Sequence, residues 1–125
     1  MSSGKSLIRP TTRLVLAVVI LAVAAWVGRG QWVKRQLILE ENRGVEMQNQ
    51  TLYAQAAMAY EALRPKLKGD AARRLTANLA ACYAAMAEDP ALPASDGLAL
   101  YRKAYALDPA AVTNPAILKR LKGNP

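Results

Sequence analysis

The sequence has no histidine and a single cysteine, Cys82. Zinc sites built from His and Cys, and haem attachment through Cys-x-x-Cys-His, are therefore out of reach. A lone cysteine forms no intramolecular disulfide, so the fold needs no oxidation. Cys82 sits in an alanine-rich helical pattern, where it reads as a small buried residue before it reads as a reactive thiol. Phosphate-cradling loops and dinucleotide fingerprints are also missing. The nine acidic residues are scattered, and no two form a recognisable acid/base motif. Strand signals are absent too: beyond the N-terminal region Val and Ile are sparse and nothing alternates. These absences point away from an enzyme and imply no cofactor and no metal. Asn49-Gln50-Thr51 fits a glycosylation acceptor, a tripeptide that is common by chance.

What is present is one long apolar run. Leu14 to Val27 reads LVLAVVILAVAAWV, fourteen residues without interruption between Arg13 and Arg29. A bilayer core of roughly 30 Å takes about 20 helical residues. Continuing through Gly28, Arg29 and Gly30 to Val33 gives twenty, provided Arg29 snorkels to the headgroups on its long stem. Trp26 and Trp32 suit the interfacial belt, and Arg13 and Arg29 flank the run as further anchors. The leading expectation is a single-pass anchor that remains in the mature chain. Two alternatives stay open. In a cleaved signal peptide, Lys5, Arg9 and Arg13 form the basic region and Ala22-Val23-Ala24 the cleavage pattern. In a buried core helix, the rest of the chain would have to wrap the run.

Acidic residues are absent from residues 1–35, which carry six basic ones: Lys5, Arg9, Arg13, Arg29, Lys34 and Arg35. The remainder holds eleven basic and nine acidic residues, so most of the net charge of +8 flanks the apolar run. That location fits anionic lipid headgroups and argues against nucleic acid. The two flanks are nearly equal in charge, so the positive-inside rule barely discriminates. A basic tail before a signal-like run favours a cytoplasmic N-terminus and an exported, periplasmic C-terminal domain.

The roughly ninety residues that follow suffice for one small domain and are rich in helix formers. Gln31–Arg43 reads as a first helix continuous with the apolar run, with Gly28, Gly30 and Gly44 as bend points. A second helix is expected over Val45–Arg64, with Tyr53, Ala57 and Tyr60 on one stripe and Leu52, Ala56, Ala59 and Leu63 beside it. Pro65 and Gly69 end it, and Asp70 is placed to cap a third helix carrying Leu75, Leu79, Cys82, Tyr83 and Met86. Ser95 or Asp96 caps a fourth, which ends at Asp108-Pro109. A short last helix opens at Asn114-Pro115.

The stretch ANLAACYAAM followed by GLALYRKAYALDP resembles a tetratricopeptide repeat. Leu79, Ala80 and Tyr83 fall on the Leu, small and Tyr positions of that family's first helix. Gly97, Tyr101, Ala104 and Pro109 fall on the small, aromatic, Ala and terminal Pro positions of its second. Leu75 joins them in the expected core. Thr76 occupies the Trp position, and Tyr83 to Gly97 spans fourteen positions where the family has about nine. The resemblance covers residues 75–109. It implies an antiparallel hairpin, with Tyr83 approaching Ala104 or Tyr101, and a protein-binding role.

The organisation expected is a basic tail (1–13), a transmembrane helix (14–33), a juxtamembrane helical linker (34–44) and a TPR-like helical domain (45–125). Fewer than the three repeats a solenoid needs for stability are present, so the domain should lean on lipid, a partner or a second copy of itself. The leading functional expectation is a non-catalytic accessory or scaffolding subunit of a larger membrane protein complex. Ala17, Ala22, Ala24, Ala25 and Gly28 would permit close packing against other membrane helices, or would simply be tolerated facing lipid. The alternative is a free-standing adaptor, anchored or exported, that binds peptide or chaperone clients. There Arg73, Arg74, Arg102 and Lys103 could meet an acidic peptide, although such charges usually form a solvated face.

Overall fold

The structure is a computed structural model and describes residues 10–123. Among these residues there is no strand, so the all-α class holds. Five α-helices follow in order: α1 (Pro10–Asn49), α2 (Tyr53–Leu63), α3 (Gly69–Ala87), α4 (Ala94–Leu107) and α5 (Pro115–Gly123). The chain divides into two compact units, Met1–Gln36 and Leu37–Pro125. The described part of the first is helical throughout. The last turns of α1 belong to the second, together with α2–α5.

Several expected helix boundaries are corrected. α1 runs without interruption through Gly28, Gly30 and Gly44, and stops only at Asn49. Val45 is therefore the continuation of α1, and α2 begins at Tyr53. The stop is a Schellman motif. Leu52 N–H donates to the Met47 carbonyl (2.9 Å) and Thr51 N–H to the Gln48 carbonyl (3.0 Å). The residue that turns the chain is Thr51, at φ +61°, in the left-handed region where glycine is usual. Sequence inspection passes over it because a β-branched residue is disfavoured there.

α2 ends in a 3-10 turn, Arg64–Lys66, because Pro65 supplies no backbone N–H. Leu67 and Lys68 are extended, and Gly69, at φ +64°, opens α3. Asp70 does not cap α3. The residue preceding the helix is Lys68, and Asp70 lies in the first turn, paired with Arg73. Its carboxylate faces the positive end of the helix dipole. Likewise Pro93 precedes α4, and neither Ser95 nor Asp96 caps it. Asp108 and Asn114 do act locally. Ala110 N–H donates to Asp108 Oδ1 (3.1 Å), shaping the 3-10 turn Pro109–Ala111, and Ala116 N–H donates to Asn114 Oδ1 (2.9 Å) at the start of α5.

Within the second unit α3 is central, packed between α2 and α4. The contacts pair early residues of one helix with late residues of the next. Gly97 approaches the Ala87 carbonyl, Lys103 lies over Tyr83, and Leu107 and Asp108 sit beside Ala72, Arg73 and Thr76. α3 and α4 are therefore antiparallel. The start of α2, at Tyr53 and Gln55, likewise faces the end of α3, at Ala85 and Met86, so α2 and α3 are antiparallel as well. One core cluster joins Ala56, Ala57, Tyr60 and Leu63 of α2 to Leu75, Leu79 and Cys82 of α3, with Leu37, Val45 and Met47 of α1 against it. A second joins Ala80 and Ala84 to Ala104 and Val112, covered by Ile117, Leu118 and Leu121 of α5. Small residues dominate the second cluster, which lets the helices approach closely.

Candidate functional site

Two surfaces concentrate the features that sequence reasoning singled out. The first is the apolar part of α1. An 18-residue window there has a mean hydropathy of 2.0, and none of it is buried. This helix is long and apolar enough to cross a membrane. Ala17, Ala22, Ala25 and Gly28 are all exposed along it, and no atom lies within 4 Å of where a Gly28 Cβ would be. Trp26 is 78 % exposed and Trp32 61 %. Trp26, Val27, Arg29, Val33 and Lys34 line an open furrow together with Gly30 and Gln31. Arg13 is exposed near the start of the same helix. Residues 1–9 of the expected basic tail lie outside the described residues.

The second surface belongs to the helical unit. Leu75, Leu79, Gly97 and Ala104 are buried, whereas Tyr83 and Tyr101 are half-buried and Pro109 is exposed at the start of its 3-10 turn. Tyr83 and Tyr101 both pack against the cluster containing Ala104. Tyr83 reaches further than a core tyrosine would. Its hydroxyl donates to Glu61 Oε1 at 2.9 Å and Lys103 Nζ sits 5.5 Å from its ring centre. One side chain thus bridges α2, α3 and α4. Its pKa is raised, chiefly by burial and then by the hydrogen bond to Glu61.

Of the basic residues considered for an acidic peptide, Arg73 is paired with Asp70, and Arg74 makes a two-pronged bond to Glu41. The distances are 2.7 Å from Nε to Oε1 and 3.0 Å from Nη2 to Oε2. Glu41 is 7 % exposed and is the buried charged residue of the described chain. The hydrogen bond to Glu41 raises the Arg74 pKa further. This pair joins α1 to α3 inside the second unit, and nothing in the sequence spacing of 33 residues announces it. Tyr60 is fully buried and donates from its hydroxyl to Gln48 Oε1 (2.9 Å). A Cβ at Gly44 would lie 2.7 Å from Tyr60 Cε1. Gly44 is therefore a contact point and not a bend: only a residue without a side chain lets α1 pass this ring.

Cys82 is fully buried, and burial pushes its thiol up to about 11. At neutral pH it is an uncharged core residue with little nucleophilic character. No group of three or more His, Cys, Asp or Glu side chains able to hold a metal occurs among the described residues. An open groove of about 440 Å³ lies where the start of α2 faces the end of α3 and the middle of α4, lined by Leu52, Tyr53, Met86, Asp89, Leu92 and Leu100 among others. Comparison with known protein families, curated proteins and solved structures finds no match to the chain.

Proposed function

We propose that the protein is a non-catalytic, single-pass membrane subunit that docks into a larger membrane protein complex. The observation that carries this reading is the apolar stretch of α1, which has membrane-crossing length and no cover from its own chain. A surface of this kind is stable in water only if something apolar covers it. In lipid, helix association rests on close packing, so the Ala17, Ala22, Ala25 and Gly28 positions are the docking residues of the membrane helix. Arg13, Trp26, Arg29 and Trp32 act as interfacial anchors, and the basic flanks meet anionic headgroups. The helical domain, read as TPR-like from the pattern at residues 75–109, is the second docking element and a site for self-association. The N-terminus is cytoplasmic and the domain exported.

The groove beside Leu52, Tyr53, Met86 and Leu100 supports the second reading, an anchored adaptor that captures an apolar peptide. Purification of the full chain in mild detergent, followed by mass spectrometry of what co-purifies, separates the two. Large partners in stoichiometric amounts support the subunit. Substoichiometric mixed clients support the adaptor. Extraction from membranes by alkaline carbonate would overturn both, and an N-terminus at Ala25 would identify a cleaved signal. Ala22→Leu with Ala25→Leu should abolish partner recovery, while Ile20→Leu with Val27→Ile on the opposite side of the helix should preserve it. Equal recovery would remove that face from the proposal.

A further inference from the structure

The short connection between α2 and α3 reads RPKLK and carries three basic and no acidic residues. Leu67 is extended and packs against the core, so the linker is pinned by its one apolar side chain. Lys66 closes the 3-10 turn and Lys68 follows in extended backbone, so the two lysines flank the inward-packed Leu67. Both are exposed, as is Arg64. The carboxylates nearby are already engaged: Asp70 with Arg73, Glu41 with Arg74, and Glu61 with the Tyr83 hydroxyl. Arg64, Lys66 and Lys68 therefore have no ion-pair partner among the described residues.

The position of this connection within the helical unit gives the charge a direction. α2 and α3 are antiparallel, and Glu41 meets Arg74 in the early turns of α3. The connection thus lies at the end of the unit where residues 37–41 of α1 are found. The α3–α4 connection, with Glu88 and Asp89, lies at the opposite end, near the Thr51 turn, with Asp96 and Arg120 beside it. Glu41 follows Val33 by eight residues, a stretch that spans at most about 28 Å by any path. The basic end of the domain is thus tethered to the apolar stretch.

We propose that Arg64, Lys66 and Lys68 form a lipid-headgroup site on the folded domain, which docks its basic end onto an anionic bilayer surface. The inference rests on the membrane reading of α1 and adds a contact that the sequence flanks do not contain. Each basic side chain near an anionic surface favours the docked state by about fivefold, and the effect fades with salt as the Debye length shortens. Losing two of them should shift the docked-to-free ratio by about thirtyfold at low salt.

The test uses the full chain with Cys82→Ala and a fluorophore on Ala62→Cys, an exposed position two residues before Arg64. It is reconstituted into phosphatidylcholine vesicles with or without one quarter phosphatidylglycerol, and headgroup spin labels serve as quencher. Quenching should rise in the anionic vesicles, and should fall to the neutral level in 0.5 M salt or with Lys66→Gln and Lys68→Gln. Lys119→Gln with Lys122→Gln on α5 should leave it unchanged. Equal quenching in both vesicles, or the same loss with the α5 pair, overturns the site while carbonate-resistant flotation keeps the membrane reading. Failure to float overturns both. Tyrosine near-UV circular dichroism verifies that each variant is folded.

Discussion

Replacing Gly44 by alanine sets two known effects against each other, and the sign of the result tests the packing of α1 on α2. In an unobstructed helix, Gly→Ala stabilises by about 0.8–1.0 kcal/mol. At Gly44 the new methyl would stand 2.7 Å from Tyr60 Cε1, 3.1 Å from Cδ1 and 3.2 Å from Cζ. Ordinary carbon contacts begin near 3.5 Å, so the ring must retreat by about 0.8 Å. It has nowhere free to go. Tyr60 is 0 % exposed among Ala56, Leu63, Leu75 and Leu79, and its hydroxyl is held by Gln48. Overpacking of this kind costs about 1–3 kcal/mol. The net expectation is a loss of up to about 2 kcal/mol, at roughly 4–8 °C in Tm per kcal/mol for a domain of this size. All five tyrosines lie between Tyr53 and Tyr105 and both tryptophans in the first unit, so near-UV tyrosine dichroism during a thermal melt reports on the helical unit alone. Gly28→Ala and Gly30→Ala, where nothing lies within 4 Å, should leave that melt unchanged. Tyr60→Leu in the Gly44→Ala background should relieve the clash, giving a coupling above about 1 kcal/mol in the double-mutant cycle. A higher Tm for Gly44→Ala, or additivity of the two changes, would refute the contact.

Thr51→Gly removes a β-branched residue from the left-handed conformation and should raise the stability of the helical unit by about 0.5–1 kcal/mol in the same melt; a lower midpoint would contradict the Schellman geometry. Arg74→Met strips the partner from the buried Glu41 and should lower the midpoint, and adding Glu41→Met should recover part of the loss, because the orphaned charge is what destabilises. A double variant worse than the single would argue against that cause. Burial pushes the Cys82 thiol from 9.0 to about 11 and the Tyr60 hydroxyl from 10.0 to about 12. The native state keeps these protons after the unfolded chain has released them, so stability is full below about pH 9 and declines through about pH 12. The slope is about 1.4 kcal/mol per pH unit for each group within its window. Cys82→Ala should flatten the decline between pH 9 and 11, and an unchanged profile would mean that Cys82 is accessible.

The sequence by itself determined the features that depend on local composition. The run from Leu14 to Val27 could only be a long apolar helix, and the shortage of β-branched residues after it left no material for a sheet. Prolines at 65, 93, 109 and 115 bracket helix boundaries, because a missing N–H and a fixed φ act at the residue itself. Periodicity placed Leu75 and Leu79 on a buried face for the same local reason. What the tertiary structure alone decided involves partners distant in the chain. Gly44 resembled a bend and proved to be the place where α1 passes the Tyr60 ring. Asp70 had the spacing of a cap, but Lys68 in extended backbone precedes α3 and Asp70 pairs with Arg73. Nothing in the local sequence marks Glu41, which is buried by its pairing with Arg74, 33 residues away. Lys66 and Lys68 were left exposed on either side of Leu67 only once Leu67 had packed against the core. Helical periodicity is a property of neighbours four residues apart, whereas these contacts exist only once three helices have docked.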